Sequence, residues 1–132
     1  MNASTTDSGT PLQRKLGVEP QMRVAVIGGP SGFTERLEDA RISRQLRGHF
    51  ELIVYFAHSR RSLETRLPAI LRAREASGRI WLAWPKRASG IATDVDERVV
   101  RAIGLATGLV DNKVCAIDDT WSGLRFVARR KG

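Results

Sequence analysis

The chain has 132 residues, of which 42% are hydrophobic and 27% charged, with a net charge of +8. These values are typical of one soluble globular domain and exclude a chain that is disordered throughout. No apolar run is long enough to span a membrane and the N-terminus lacks a secretory signal, so we expect a cytoplasmic protein. The single cysteine, Cys115, excludes an intramolecular disulfide, and its apolar neighbours predict a core position. The sequence predicts no metal site and no bound cofactor.

The N-terminal part of the chain changes character after nine residues. Residues 1–9 are small and polar, so we expect a disordered tail followed by one domain over residues 10–132. Thr10 and the proline after it predict the start of a short helix, which Gly17 ends. This helix is expected to pack as an arm on the domain.

Three apolar runs predict central strands. They cover residues 22–28, 51–57 and 79–84, and continuous apolar runs of this length are typical of strands that are covered on both faces. A tight glycine-rich turn and a short helix over 34–39 follow the first run. An alternating segment over 41–46 predicts a weaker edge strand.

Two longer helices connect these strands. Ser59 predicts the cap of a helix that runs towards Ala76, and Pro68 either kinks this helix or starts a second one. Asp94 and Glu97 have the spacing of a capping box, in which each side chain bonds to the backbone of the other residue. We therefore expect the next helix to begin at Asp94.

The order of elements predicts the fold. Strands over 112–117 and 124–130, joined by a turn over 118–123, form an antiparallel hairpin, and the earlier alternation of strands and helices predicts a parallel sheet. The expected fold is α/β, a truncated Rossmann-like, mainly parallel sheet with helices on both faces and a C-terminal antiparallel hairpin. Such a sheet resembles the fold of S-adenosylmethionine-dependent methyltransferases, shortened by about one strand–helix unit where the cofactor ribose and adenine would lie.

Several short motifs occur between Thr10 and Arg130. They are Thr10-Pro11-Leu12, Lys15-Leu16-Gly17, Gly28 to Phe33, Trp84-Pro85-Lys86, Leu109-Val110-Asp111, Lys113-Val114 and Thr120-Trp121-Ser122-Gly123-Leu124. Together they resemble the bacterial family named domain of unknown function 3052. The sequence departs from that family at Asp119, where the family has glutamate. The resemblance implies a shared fold and assigns no activity.

Ligands of open α/β sheets bind beyond the carboxyl ends of the strands, and this rule selects the candidate site. The glycine-rich turn after the first strand can bring backbone amides close to an anion, although it lacks the ending of a nucleotide-binding P-loop. The same edge gathers residues that follow the other strands. The candidate ligand-binding residues are Gly28, Gly29, Ser31, Gly32, His58, Ser59, Lys86, Asp118, Asp119 and Trp121.

The chemistry of these residues leaves alternatives open. As an enzyme, the protein would use His58 or Lys86 for proton transfer, but no spacing is diagnostic of catalysis. Lys86 can also form an ion pair with Asp118 or Asp119 that only steadies two loops. Trp121, in a polar turn, either packs back into the core or offers a platform for a ligand.

The favoured hypothesis is a small anionic ligand bound at the strand ends without methyl transfer. The segment where a ribose-binding carboxylate would lie has the sequence Arg44-Gln45-Leu46-Arg47, which is basic. One alternative is a nucleic-acid-binding module with Arg44, Arg47, Arg60 and Arg61 as phosphate contacts. Another is a protein-interaction domain without catalysis.

Overall fold

The computed structural model describes residues 11–130, which form three helices and one six-stranded sheet. The strands are β1 (Arg23–Ile27), β2 (Arg41–Ser43), β3 (Phe50–Phe56), β4 (Arg74–Pro85), β5 (Val110–Ala116) and β6 (Trp121–Val127); the helices are α1 (Leu12–Leu16), α2 (Arg60–Arg72) and α3 (Glu97–Leu105). The predicted tail and the capping role of Thr10 lie outside the described residues. Within these residues no helix is long and apolar enough to cross a membrane.

The sheet has the order β2-β1-β3-β4-β6-β5. Neighbours from β2 to β4 pair in parallel, whereas β6 is antiparallel to both β4 and β5. Strand β5 therefore runs in the same direction as β4, although β6 lies between them. The predicted α/β fold with a mainly parallel sheet and a C-terminal hairpin is confirmed.

Helices cover both faces of the sheet. Helices α2 and α3 pack on one face, and α1 packs on the other together with the segment that follows β1. Trp84 belongs to the first core layer and Trp81 to the second, as the period of a strand predicts. The indole Nε1 of Trp81 donates a hydrogen bond to the carbonyl of Leu16 at 2.9 Å, which fixes the end of α1 on the sheet.

Helix α2 begins where the sequence predicts and ends earlier. The hydroxyl of Ser59 accepts a hydrogen bond from the amide of Ser62, which closes a capping box. Pro68 lies inside this one continuous helix, so no second helix begins there. It does not reach Ala76, because β4 begins at Arg74.

Helix α3 begins at Glu97, so the prediction that Asp94 caps it is wrong. Asp96 is the cap, and its Oδ1 accepts from the amide of Val99 at 2.9 Å. Oδ1 of Asp94 instead accepts from the amide of Arg60 at 2.7 Å, in the first turn of α2. A contact across 34 positions of sequence has overridden the local pattern.

The predicted turn over 118–123 is shorter, because β6 already begins at Trp121. Gly123 is a strand residue, and a Cβ there would lie 3.1 Å from both Ile117 and Trp81. Glycine is thus needed for close packing and not for a turn. Cys115, predicted in the core, is only half-buried because β5 is an edge strand.

Candidate functional site

The carboxyl ends of the parallel strands meet at one edge of the sheet, called the rim below. The chain leaves β1 towards β2 over the face that carries α1, and it leaves β3 towards β4 through α2 on the opposite face. The crossovers diverge between β1 and β3, which is where open α/β sheets bind ligands. The predicted site residues lie at this rim.

The turn after β1 requires its glycines. Gly28 and Gly32 have φ angles of 75° and 83°, which favour residues without a Cβ. A Cβ on Gly29 would lie 3.1 Å from the ring of Phe56. Phe33 ends the turn and packs edge-on against the same ring, with the centroids 4.9 Å apart. The turn is therefore pressed closely onto the core.

A cavity of about 380 Å³ opens beside this turn and is called the β1–β2 cavity here. It is lined by Val26, Gly28, Gly29, Pro30, Ser31, Gly32, Thr34, Glu35 and Arg44. Within residues 11–130, the amides of Gly29, Ser31 and Gly32 donate no hydrogen bond. The four predicted residues of the turn thus line one cavity, and the amides of three of them have no hydrogen-bond partner among the described residues.

Arg44 follows β2 and contributes a cation to the wall of this cavity. Its Nη2 donates to the hydroxyl of Thr34 at 2.9 Å, and that hydroxyl donates to Oε1 of Glu35 at 3.2 Å. No carboxylate of the described segment forms an ion pair with Arg44. Thr34 and Glu35 are not among the residues predicted from the sequence; their position directly after the glycine turn was the available signal.

His58 lies after β3 and joins two parts of the rim. Its Nε2 is 3.3 Å from the carbonyl of Gly28, and its ring centroid is 5.1 Å from that of Trp121. A carbonyl only accepts, so this contact requires the proton on Nε2 and leaves Nδ1 as the acceptor of a neutral ring. The imidazole is exposed, with one basic nitrogen not used by this contact.

Trp121 packs into the core, as the first of its two predicted roles requires. It is 5% exposed, and its ring meets Phe56 edge-on with the centroids 5.1 Å apart. Phe33, Phe56, Trp121 and His58 thus form a continuous aromatic row from the glycine turn to β6.

Lys86 and Asp118 lie at the same end of the sheet, as the predicted topology requires. The amide of Lys86 donates to the carbonyl of Thr120 at 2.7 Å. The proposed ion pair is nevertheless wrong: between residues 11 and 130, no ion pair joins Lys86 to Asp118 or Asp119. Oδ1 of Asp118 instead accepts from the amides of Thr120 and Trp121, so this carboxylate holds the turn.

The structure divides the predicted site into two groups. The glycine turn lines the β1–β2 cavity, while the other six residues, namely His58, Ser59, Lys86, Asp118, Asp119 and Trp121, line neither that cavity nor the one described next. The hydroxyl of Ser59 is already used in the cap of α2. The carboxylate of Asp118 likewise holds its own turn, whereas His58 keeps one ring nitrogen outside its contact with Gly28.

A second cavity, of about 410 Å³, lies beyond the end of β4. It is lined by Trp84, Pro85, Arg87, Gly90, Ile91, Thr93, Asp94, Val95 and Asp96. Both carboxylates in this wall use an oxygen to hold the start of a helix. None of the predicted site residues lies in this wall, which is formed by the end of β4 and the loop that leads to α3.

The four arginines of the nucleic-acid alternative have different surroundings. Arg44 lines the β1–β2 cavity, and Nε of Arg60 forms an ion pair with Glu64 at 3.1 Å. Arg47 and Arg61 are exposed. Among residues 11–130, no group of three histidine, cysteine, aspartate or glutamate side chains is placed to hold a metal ion.

Comparisons with known proteins identify the fold and no close relative. No family profile and no curated protein matches this sequence. Among solved structures, the N-methyltransferase NodS from Bradyrhizobium japonicum, in complex with S-adenosyl-L-homocysteine, superimposes with a TM-score of 0.65 at 16% identity, covering 92% of this chain and 85% of that one.

Two further solved structures show the same likeness. Magnesium protoporphyrin IX methyltransferase from Synechocystis, with bound S-adenosylmethionine, has a TM-score of 0.61 at 11% identity and covers 98% of this chain and 87% of its own. The fibrillarin pre-rRNA processing protein of Methanococcus jannaschii has a TM-score of 0.60 at 9% identity, with 86% and 69% covered. The chain therefore has a methyltransferase-like fold.

Proposed function

We propose that this protein binds a small anionic ligand in the β1–β2 cavity and is not an active methyltransferase. The observation that carries the proposal is the set of donors around one cavity: the amides of Gly29, Ser31 and Gly32 and the guanidinium of Arg44. An oxyanion satisfies several such donors at once. The cavity volume lies in the range of small-molecule sites.

The carboxylate of Glu35 narrows the class of ligand. It accepts a hydrogen bond from the hydroxyl of Thr34, and the same hydroxyl accepts one from Arg44. A cation and a hydrogen-bond acceptor therefore lie side by side in the cavity wall. A carboxylate favours hydroxyl or amino groups as partners. The proposed ligand therefore carries such a group next to its anionic group, as a sugar phosphate does.

The identity of residue 44 supports a ligand other than S-adenosylmethionine. The hydroxyls of an unmodified ribose are held by a carboxylate in this class of fold, whereas an arginine near that position accommodates a phosphate. Arg44 directly follows β2 and has no acceptor atom in its side chain. The likeness to methyltransferases extends to the fold at 9–16% identity.

Native mass spectrometry of the full-length protein purified from its host tests the anionic ligand. We expect the wild type to carry an additional small mass that Arg44→Gln loses. Arg61→Gln, which removes an exposed arginine outside the cavity, is the matched control and should keep the mass. The proposal would be overturned if the wild type carried no added mass, or if all three proteins carried the same added mass.

Calorimetry with S-adenosylmethionine tests the second half of the proposal. We expect no binding stronger than a Kd of roughly 100 μM. A Kd in the low micromolar range, roughly −8 kcal/mol, would make the glycine turn a cofactor site and contradict the proposal.

We also infer that the chain belongs to the domain of unknown function 3052 family. Two of the motifs that resemble this family, Trp84-Pro85-Lys86 and Thr120 to Leu124, meet at the rim through the bond from the amide of Lys86 to the carbonyl of Thr120. Contact between motifs so far apart in sequence is expected if they form one structural feature.

A further inference from the structure

Three cationic side chains lie together on the face of the sheet that α1 covers. Lys113 on β5 pairs with Arg125 on β6, and Arg125 pairs with Trp81 on β4. Paired residues of neighbouring strands point to the same face, and so do residues two apart, which adds Arg79 to this row. Trp81 belongs to the core layer beneath α1, so the whole row faces that helix.

The row converges on the C-terminal end of α1. Nη2 of Arg79 donates to the carbonyl of Gly17 at 3.1 Å, and Nζ of Lys113 donates to the carbonyl of Lys15 at 3.0 Å. The indole of Trp81 donates to the carbonyl of Leu16, which lies between these two residues in the chain. Two of these hydrogen bonds set the positions of Arg79 and Lys113, whose side chains are otherwise long and flexible.

The absence of a side chain at Gly17 lets two guanidinium groups approach the end of α1 closely. A Cβ built on Gly17 would lie 3.1 Å from Nη1 of Arg79 and 3.5 Å from Nη1 of Arg125. Both groups thus approach the same point. Gly17 also has a φ of 85°, the left-handed conformation that ends α1. Other residues are therefore disfavoured at this position both by the contact of their Cβ and by their backbone conformation.

The hydrogen bonds of Arg79, Lys113 and Arg125 go to neutral acceptors. Arg125 donates through Nε to the amide oxygen of Asn112, a neutral partner. Within the segment from 11 to 130, no carboxylate forms an ion pair with Arg79, Lys113 or Arg125. Burial and the charge of Arg79 lower the pKa of Arg125 from its ordinary value, as expected where two cations lie close together.

We propose that Arg79, Lys113 and Arg125 form a second anion site, which binds a phosphate group. Guanidinium groups present several N–H donors in a fixed plane and match the oxygens of phosphate better than a single point charge does. A bound phosphate would remove the repulsion between the two arginines. The site lies beside the end of α1 and shares no residue with the β1–β2 cavity.

Two sources can supply a phosphate group: a free phosphate or phosphomonoester, and the backbone of a single-stranded nucleic acid. Both present the same tetrahedral oxyanion. The net charge of +8 favours either one.

Calorimetry with sodium phosphate, at constant ionic strength and on the full-length chain, tests the site. We expect binding to the wild type and at least tenfold weaker binding to Arg79→Gln and to Arg125→Gln. Arg79→Lys, which keeps the charge and loses the planar fork, should give an intermediate Kd. Lys113→Gln should also weaken binding. This variant tests the site if an arginine variant does not fold.

Two controls separate this site from other arginines. Arg61→Gln makes the same change of charge on an exposed residue and should leave the Kd unchanged. Arg66→Gln changes a second exposed arginine, in α2, and should also leave the Kd unchanged. Phosphate binding that is lost in Arg44→Gln and retained in Arg125→Gln would overturn the second site and leave the first intact.

Fluorescence anisotropy with a short oligothymidine distinguishes the two sources. If nucleic acid is the source, the oligonucleotide binds, and Arg79→Gln and Arg125→Gln flatten the slope of log affinity against log salt concentration. If free phosphate is the source, both variants lose phosphate binding while the oligonucleotide slope stays constant. The proposal is overturned if neither ligand responds to these two substitutions.

Discussion

Trp121 links the core to the rim through its contacts with Phe56 and His58. Because its indole is almost fully buried, removal to Cβ leaves a large cavity. We expect Trp121→Ala to lower the free energy of unfolding by about 3 kcal/mol or more, measured by urea denaturation. Trp121→Phe should lower the free energy of unfolding by clearly less, because the phenyl ring refills most of the cavity. Equal losses for both variants would contradict a packing role.

Gly104 lies in α3 directly against the ring of Phe126, which a Cβ on residue 104 would overlap. Two effects oppose each other in Gly104→Ala. Alanine favours a helix over glycine by roughly 1 kcal/mol, whereas overpacking a tight core costs roughly 1–3 kcal/mol. Phe126 is 1% exposed and has little space to move. The cost of overpacking should therefore exceed the gain in helix propensity.

We therefore expect Gly104→Ala to lower the midpoint of thermal unfolding. The same substitution in a Phe126→Leu background, which shortens the opposing side chain, should be neutral or stabilising. Destabilisation of equal size in both backgrounds would show that Phe126 is not the cause.

Pro68 is an exposed proline inside α2, a position that removes the hydrogen bond to the carbonyl of Glu64. An interior proline costs about 3 kcal/mol, partly offset because it restricts the unfolded chain by about 1 kcal/mol. We expect Pro68→Ala to raise the free energy of unfolding by about 1–2 kcal/mol in urea. A loss of stability would mean that the pyrrolidine ring makes contacts that alanine cannot replace.

The start of α3 shows where local patterns stop predicting elements. The spacing of Asp94 and Glu97 matches a capping box, yet Asp96 caps the helix. The carboxylate of Asp94 instead accepts a hydrogen bond from the amide of Arg60. Arg60 is too far away in sequence for a local pattern of a few residues to include it. The cap at Ser59, by contrast, depends only on Ser62 and was predicted correctly.

At the level of the whole molecule, the fold was predictable because apolar runs identify the strands and short connections identify the hairpin. The site was predictable in part. The glycine turn is a local feature, and the topology correctly brings Lys86 and Asp118 to one rim. That Asp118 bonds to its own turn, and that Glu35 enters the cavity, depends on side-chain placement that spacing does not determine.

The position of β6 has a consequence for the order in which the molecule is assembled. This strand is the last of the six to be synthesised, yet it pairs with β4 on one side and is the only described partner of β5 on the other. Until residues 121–127 leave the ribosome, β5 has no ladder, and both core layers lack Leu124, Phe126 or Trp121.

Folding during translation should therefore complete only after residues 121–127 have left the exit tunnel. We expect a chain ending at Asp118 to show no cooperative thermal transition by circular dichroism. Addition of a synthetic peptide spanning 119–132 should restore the transition. A truncated chain that melts cooperatively by itself would show that the first four strands fold independently.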